Sequence, residues 1–459
     1  MDRRRFLTAG AAGMAGIAGM ATPARGQRQP DGVLTSSIRG SIDATELGVR
    51  PGADDDQSKA FIRMLEAAAE REIPVFLPAG DYRLSNINLP RHVRLHGVPG
   101  ATRLIYSGDG HLLAGDEIEL VELTGLDIDG ANRWISDYAQ ALVDVRHARQ
   151  VNISNCAITG SGKNAIAMEH SGGRITGNSI SGAADTAIYS VESKALTISD
   201  NRISDCANGG ILVHRWQAGD DGTIIANNRV ERIWANAGGT GQHGNGINVF
   251  RANNVLITGN IVADCAFSAI RANSASNVQI TSNNCVRSGE TAIYAEFTFE
   301  GAVINANIVD GAAHGISIVN FNEGGRLAVC SGNLVRNLSD KGPYPADPPG
   351  FGIGISVEAD TSVTGNVVEG APLYGINIGW GEFMRNVVCT GNVVRKAGEG
   401  LAVSVVEGTG SAVIADNIFE NTKSGAIFGY RWEKRVTGDL VRTGSSEYPR
   451  LTVERNFSS

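Results

Sequence analysis

The stretch VTGNVVEGAPLYGINI at residues 363–378 decides the fold, because it recurs with small changes along most of the chain. Its first half places an Asn between apolar residues, and its second half is Gly or Ala, then Ile or Leu, then an alternating pair. Eleven such units lie between residues 151 and 430. The repeated asparagines are Asn178, Asn201, Asn228, Asn260, Asn283, Asn307, Asn333, Asn366, Asn392 and Asn417, and Cys156 takes the same place at the head of the series.

Units that recur every 22 to 33 residues and consist of short β-rich segments are typical of solenoids. A leucine-rich repeat would need a helical segment and a leucine framework, and the units have neither. Alternation with a period of two directs Ile and Val inward, so the sequence predicts an all-β, single-stranded parallel β-helix whose coils pair with their neighbours. We expect the Asn to lie at a tight bend, where it tolerates left-handed backbone angles and its amide bonds the equivalent amide one coil away.

Composition limits the function classes. The 459 residues carry a net charge of -8, which argues against a nucleic-acid groove. The chain has no run of 18 or more apolar residues, so we expect no membrane span in the mature form. We divide the chain into a signal peptide at 1–24, a linker at 25–45, a β-helix domain with its N-terminal cap at 46–430, and a C-terminal cap at 431–459.

The first 24 residues combine a basic segment, an Ala/Gly/Met run and a small-residue cleavage site. Arg3 and Arg4, followed by Phe6 and Leu7, resemble the twin-arginine export signal, and an ordinary secretory signal is the alternative. The resemblance implies a bacterial periplasmic or secreted protein whose partner during export is the twin-arginine machinery.

Residues 46–104 contain a short amphipathic helix that Asp55 or Asp56 can cap and that ends near Glu72, followed by a strand and the turn PAGDY. This arrangement resembles the N-terminal part of the pectate-lyase-like right-handed β-helix superfamily, and with the repeat the resemblance covers residues 46–430. It implies a right-handed β-helix with a capping helix, in which residues 54–56 are structural; an aspartate metal site is the alternative. Within the superfamily the chain is most similar to twin-arginine-exported β-helix repeat proteins of uncharacterised function.

The superfamily's best-known chemical motifs are missing. The asparagine-aspartate, paired-aspartate and Gly-His-Gly motifs of polygalacturonases are absent, and His314-Gly315 is only a fragment of the last. Outward aspartates that would hold calcium are not seen apart from Asp127 and Asp129, which we interpret as turn-stabilising. We therefore expect no cofactor and no metal site, although the superfamily leaves calcium possible.

The six cysteines predict free, mostly buried thiols. Cys206 and Cys265 occupy equivalent positions two coils apart, as do Cys330 and Cys389. Two coils correspond to about 9.6 Å, which exceeds the reach of a disulfide.

Two long connections interrupt the repeat, at 231–245 and 336–352, at the same corner and four rungs apart, and we expect them to wall a trough. Outward residues of the Gly-Ile strands would form its floor. For catalysis the candidates are Arg271, Tyr294, Glu296, His314 and Glu358; for substrate binding they are Glu169, His170, His214, Arg215, Trp216, His243, Asn248 and Phe250.

Mixed aromatic and charged groups suit a sugar chain. In one hypothesis the protein is an enzyme of lyase, hydrolase or epimerase type acting on a polysaccharide. Arg271 would neutralise a uronate while Tyr294, His314 or His243 transfers the proton, or Glu296 and Glu358 would act as a hydrolytic pair. The alternative is a non-catalytic glycan-binding or structural protein of the cell envelope.

Overall fold

Residues 40–239 and 241–459 are described by the computed structural model, and they wind into a right-handed parallel β-helix. Each turn contributes one strand to each of three sheets, A, B and C, and each strand pairs in parallel with the strand one turn away. The predicted fold class is confirmed. The predicted signal peptide and residues 25–39 of the predicted linker lie outside the described residues.

Sheet A has the strands Ile42–Asp43, Val75–Phe76, His92–His96, Leu120–Thr124, Gln150–Ser154, Gly173–Thr176, Thr197–Ser199, Ile224–Ala226, Leu256–Thr258, Val278–Thr281, Glu300–Asn305, Arg326–Ser331, Ala359–Thr364, Arg385–Thr390, Ala412–Ala415 and Leu451–Glu454. Sheet B has Gly80–Leu84, Thr102–Tyr106, Asp127–Asp129, Ala157–Thr159, Ser179–Ser181, Arg202–Cys206, Arg229–Ile233, Ile261–Cys265, Asn284–Val286, Ile308–Asp310, Leu334–Arg336, Val367–Glu369, Val393–Arg395, Ile418–Glu420 and Phe457–Ser458. Sheet C has Ile87–Asn88, Leu113–Gly115, Ala141–Arg146, Asn164–Glu169, Thr186–Val191, Gly209–Asp220, Asn245–Asn253, Ile270–Asn273, Thr291–Glu296, His314–Ile318, Ile353–Val357, Tyr374–Ile378, Glu399–Ser404, Ile427–Arg431 and the antiparallel Lys434–Arg435.

The core consists of inward Ile, Val, Leu and Ala side chains stacked turn upon turn. The glycine before the inward isoleucine in the opening stretch shows how tightly the turns pack. A Cβ on Gly375 would lie 2.2 Å from Val394 Cγ1 and 2.6 Å from the Gly400 carbonyl oxygen, so only glycine fits there without a shift.

The repeated asparagines form a buried ladder at the corner between sheets A and B. Asn366 donates from its main-chain N–H and from Nδ2 to Asn392 Oδ1, at 2.9 and 3.0 Å, and from Nδ2 to the Cys330 carbonyl oxygen. The same pattern links every step from Asn178 onward, and Asn456 adds a final rung beyond Asn417. At the head of the series the Cys156 N–H donates to Asn178 Oδ1. The predicted amide-to-amide bonds are confirmed.

The left-handed angle at this corner belongs to a different residue from the one expected. The residue before each ladder Asn has the positive φ, as Gly365 (65°), Asp200 (59°) and Ala306 (56°) illustrate. The Asn itself stays outside this region because its side chain must point into the stack. The placement also explains why Gly precedes the Asn in so many units.

A helix at Ser58–Glu70 covers the N-terminal end and buries Phe61, Met64 and Leu65. It ends two residues before the predicted Glu72. Its N-cap residue is Gln57, although Asp56 Oδ1 accepts from the Ser58 N–H at 2.9 Å, while Asp55 pairs with Arg50 instead. A one-turn helix lies at Leu440–Thr443, and 3-10 turns lie at Ala44–Leu47 and Phe321–Glu323. Within the described ranges, none of these helices has the length and hydropathy to cross a membrane.

All six cysteines are free and buried, as predicted. Cys206 and Cys265 both pair with Ile233 of the turn between them, and Cys330 and Cys389 both pair with Val363. The two-coil separation that rules out a disulfide is therefore present in the structure.

Replacing a ladder asparagine should destabilise the protein strongly. Asn307→Ala removes the acceptor of the Asn283 amide groups and the donors to Ile280 and Asn333, which leaves several buried polar groups without partners. We expect a loss of about 2–4 kcal/mol in the free energy of unfolding, measured by denaturant titration. Asn305→Ala, two residues away on the outer surface, is the matched control and should lose less than about 1 kcal/mol. Equal losses would contradict a structural role for the ladder.

Candidate functional site

Long connections of the coil project from the corner between sheets B and C. Loops 234–244 and 337–352 lie at this corner as predicted, four rungs apart. A third loop, 130–140, lies at the same corner in an earlier turn. The repeat did not indicate this loop, because the recurring units begin only after it.

The two later loops converge on the outer face of sheet C. Arg271 projects from the strand Ile270–Asn273, and its Nη1 donates to the Gly241 carbonyl oxygen of loop 234–244. Its Nε donates to Glu296 Oε1 at 2.5 Å, and Asn273 Nδ2 donates to the same oxygen at 2.8 Å. The side chains of Arg271 and Glu296 are only 11% and 3% exposed. The structure thus brings these two predicted residues together, but as a covered ion pair.

Glu290 and Tyr344 lie beside this ion pair, and neither was predicted from the sequence. Tyr344, from loop 337–352, donates its hydroxyl hydrogen to Glu290 Oε1, and Ser268 Oγ donates to Glu290 Oε2 at 3.4 Å. The ring of Tyr344 stacks on Phe267 with a centroid distance of 6.3 Å. Glu290 occupies the turn before a sheet C strand, and nothing in the repeat pattern marks a carboxylate there as a site residue. The loop that carries Tyr344 lies outside the repeat. We call Arg271, Glu290, Tyr294, Glu296 and Tyr344 the central cluster.

The ionisable groups of the central cluster have contrasting environments. Burial raises the pKa of Glu290, and hydrogen bonding from Tyr344 together with the charge of Arg271 only partly offsets this rise. Burial also raises the pKa of Tyr294, and the charges of Glu296 and Glu290 raise it further. Arg271 lies 5.8 Å from the centroid of the Tyr294 ring. Tyr294 therefore keeps its proton at neutral pH and is a poor base.

His314 lies at the edge of the cluster. Its main-chain N–H donates to the Glu290 carbonyl oxygen at 3.1 Å, and its ring contacts Phe351 of loop 337–352 at 5.1 Å. Burial lowers the pKa of His314 to about 4, so the imidazole is neutral at physiological pH. Its Nδ1 is buried without a hydrogen-bond partner among the described residues.

Glu358 is two rungs from Glu296 in the same outward row, but its carboxyl group is hydrogen-bonded to a neighbouring turn. Its Oε2 accepts from the Phe321 N–H at 2.6 Å, at the start of the 3-10 turn, and the residue is 9% exposed. Burial raises the pKa of Glu358 to about 7, against the effect of the main-chain N–H donors of Phe321 and Asn320. The structure does not join Glu358 to the central cluster by any hydrogen bond between described residues.

In the lower coils a row of ring contacts lies at the end of the sheet C strands that leads to sheet A. His170 stacks on His147 at 5.1 Å, and Trp216 meets the edge of His170 at 5.5 Å. Trp216 is 58% exposed. Glu169 lies one rung above Arg146, next to this row.

Other predicted binding residues lie below the surface. His214 is held between the rings of Tyr189 and Phe250, at 5.6 and 5.7 Å, and burial lowers the pKa of His214 to about 4. Arg215 forms an ion pair with Glu192 at 2.7 Å, and its side chain is 11% exposed. Asn248 is buried on sheet C one rung below Arg271, and His243 is half-buried in loop 234–244. Across residues 40–239 and 241–459, no three His, Cys, Asp or Glu side chains form a group that could hold a metal ion.

The family model described as right handed beta helix region matches residues 112–237 and 216–394, which is more than half of the chain. The protein therefore belongs to the right-handed β-helix family. No curated protein gives a significant match.

Several solved structures share the fold at low sequence identity. The pre-mature gene product 12 of bacteriophage phi29 is 16% identical, with 89% of this chain and 59% of that chain covered and a TM-score of 0.52. PfbA, a surface adhesin of Streptococcus pneumoniae, is 14% identical, with 86% and 94% covered and a TM-score of 0.45. The A-module of the Azotobacter vinelandii mannuronan C-5 epimerase AlgE6 is 14% identical, with 91% and 99% covered and a TM-score of 0.43. The likeness to the phi29 protein, at this low identity, shows the fold alone.

The raised pKa of Glu358 should make stability depend on pH. The folded state holds this proton more tightly than the unfolded chain, so the free energy of unfolding falls as the pH rises from about 4.5 through about 7. Glu358→Gln keeps an acceptor for the Phe321 N–H but cannot ionise. We expect this variant to be more stable than the wild type at pH 8, by up to about 3 kcal/mol, and equal to it near pH 4.

The measurement is denaturant unfolding at a series of pH values. Glu323→Gln, on the exposed part of the same turn, removes an equal charge and serves as the control. An unchanged pH profile in Glu358→Gln would show that the buried carboxyl does not titrate in this range.

Proposed function

We propose that the protein binds a polysaccharide along the outer face of sheet C and acts on it at the central cluster. The observation that carries the proposal is the succession of aromatic rings and buried charges along this sheet. Rings lie along sheet C in three groups, which are His147, His170 and Trp216; then Tyr189, His214 and Phe250; then Phe267, Tyr344 and Phe351 at loop 337–352. The buried charges of Arg271, Glu290 and Glu296 lie beside the third group. Aromatic rings stack on the apolar faces of sugars, and buried polar groups orient their hydroxyls.

The central cluster supports acid–base chemistry. Glu290 has a raised pKa, which suits a general acid that protonates a glycosidic oxygen. Glu296 is held by Arg271 and Asn273, which fixes the second carboxyl in one orientation. We assign Glu290 as the acid and Glu296 as its partner carboxylate. Tyr344 covers Glu290, so the substrate must displace the tyrosine side chain from the carboxyl.

The charges of the cluster favour a neutral glycan over a uronate. Arg271, its one cation, already neutralises Glu296, and Glu290 adds a second carboxyl. A polyuronate brought here would find no uncompensated positive charge. We therefore propose hydrolysis of a neutral polysaccharide rather than the β-elimination or epimerisation of uronates that the sequence also allowed.

Non-catalytic glycan binding is the second candidate, and one observation favours it. Glu296 and Glu358, which the sequence suggested as a hydrolytic pair, are each almost fully buried and already hydrogen-bonded within the protein. A surface that only binds would need its exposed rings and no reactive carboxyl.

A glycan panel separates the two candidates. The protein is incubated with neutral polysaccharides and with polyuronates, while new reducing ends and the absorbance of unsaturated products are followed. We expect new reducing ends on a neutral glycan, and a loss of at least about 100-fold in kcat for Glu290→Gln with little change in melting temperature. Glu66→Gln, on the exposed face of the N-terminal helix, should leave kcat unchanged.

Binding is measured in parallel by calorimetry. Trp216→Ala should weaken binding, while Phe457→Ala should not, because Phe457 is an exposed aromatic on sheet B. Binding without turnover on every glycan would establish the non-catalytic candidate, and unsaturated products from a polyuronate would overturn the assignment to neutral glycans.

We also propose that the protein is exported by the twin-arginine route to the periplasm or the medium, on the basis of Arg3 and Arg4. The double variant Arg3→Lys and Arg4→Lys should leave the uncleaved protein in the cytoplasm, measured by fractionation of a bacterial host. The variant Arg5→Lys is the matched control and should be exported. Export of the double variant would indicate an ordinary secretory signal.

A further inference from the structure

A pocket lies on sheet C in its first turns, well away from the central cluster. It has a volume of about 350 Å³, and loop 130–140, the corner loop that the repeat did not predict, contributes to its wall. The residues that matter for its chemistry are Asn88, His111, Asp116, Tyr138, Asp144 and Arg146.

The floor of this pocket is a rigid charged pair. Arg146 Nη2 donates to Asp144 Oδ2 at 3.0 Å, and the Asp144 side chain is only 4% exposed. Both partners also hold the loop, because Asp144 accepts from the Gln140 N–H at 2.8 Å and Arg146 donates to the Tyr138 carbonyl oxygen at 2.8 Å. A fixed carboxylate beside a guanidinium offers an acceptor and donors side by side, which matches neighbouring sugar hydroxyls.

The wall of the pocket combines a buried imidazole with an exposed ring. His111 is 5% exposed; its Nδ1 lies 3.0 Å from the Tyr138 hydroxyl oxygen, and its Nε2 has no hydrogen-bond partner among the residues described. The Tyr138 ring stands edge-on to His111 at 5.7 Å and is 59% exposed. An accessible ring above a polar floor is the arrangement on which a pyranose ring stacks.

The charges exclude an anionic sugar. Asp116 and Asp144 line the pocket together with a single arginine, and Arg146 is already paired. His147, the other neighbouring basic side chain, is paired with Asp116 at 2.7 Å. The pocket therefore matches a neutral sugar.

We infer that this pocket is a distal binding site for one neutral pyranose residue of the polysaccharide that reaches the central cluster. The inference rests on the proposed function. Asp144 and Arg271 occupy the same outward column of sheet C, five rungs apart, which corresponds to about 24 Å. The row of His147, His170 and Trp216 lies along the turns between them. A chain long enough to occupy both sites binds more tightly than a fragment that reaches only one.

The test compares affinities for long and short chains. The probes are cello-, laminari-, xylo- and manno-oligosaccharides too short to span 24 Å, and the corresponding polymers, titrated by calorimetry into the full chain. We expect Tyr138→Ala to lower the ratio of polymer to oligosaccharide affinity about tenfold, the loss of one stacked ring contact. Asp144→Asn, which keeps the size of the side chain, should lower the same ratio.

Trp134→Ala is the matched control, since Trp134 is 64% exposed on the same loop but does not line the pocket. Its ratio should equal that of the wild type. Should Tyr138→Ala and Asp144→Asn, both folded by circular dichroism, keep the wild-type ratio while the wild type binds polymer, the distal site is wrong and the proposed function stands. Equal losses in Trp134→Ala would also overturn the distal site. If the wild type binds none of the probes, the proposed function fails together with this inference.

Discussion

The amide bond between successive ladder asparagines is the interaction on which the rest of the structure depends. Each Asn closes the tight corner between sheets A and B, satisfies the main-chain N–H of the Asn below, and bonds a carbonyl oxygen in an earlier turn. These groups are buried, so each one left without a partner would cost about 1–3 kcal/mol. Because the bond is made between turns, it also fixes the register of one coil on the next.

That fixed register gives the candidate site its geometry. Outward residues separated by many positions in sequence come to lie in straight columns, so Asn248, Arg271 and Tyr294 follow one another on neighbouring rungs. A parallel coil holds such a column rigidly, since every strand is paired on both sides. The ladder corner is uniform and short, whereas the B–C corner tolerates insertions, and loops 130–140, 234–244 and 337–352 arise there.

Prediction from sequence succeeded where the repeat governs and failed where loops meet the surface. Four features could be predicted because each follows from a position within a unit: the ladder, the inward isoleucines, the free cysteines and the outward column. The covering of Glu296 and the pairing of Arg215 with Glu192 could not be predicted. An outward position in a strand does not reveal which side chains or loops cover it. Glu290 and Tyr344 were missed because 54 residues separate them and only the fold of loop 337–352 joins them.

The sequence by itself determined the coil. A repeat with a buried Asn and alternating Ile and Val buries its apolar side chains when the strands of every turn pair with those of the next. Even there, the tertiary structure decided that the left-handed residue is the one before the Asn, since the amide must point into the stack. The site was decided only by tertiary structure. Whether an outward side chain meets solvent, an ion-pair partner or a loop depends on side chains from distant turns, and no local pattern in the chain records those contacts.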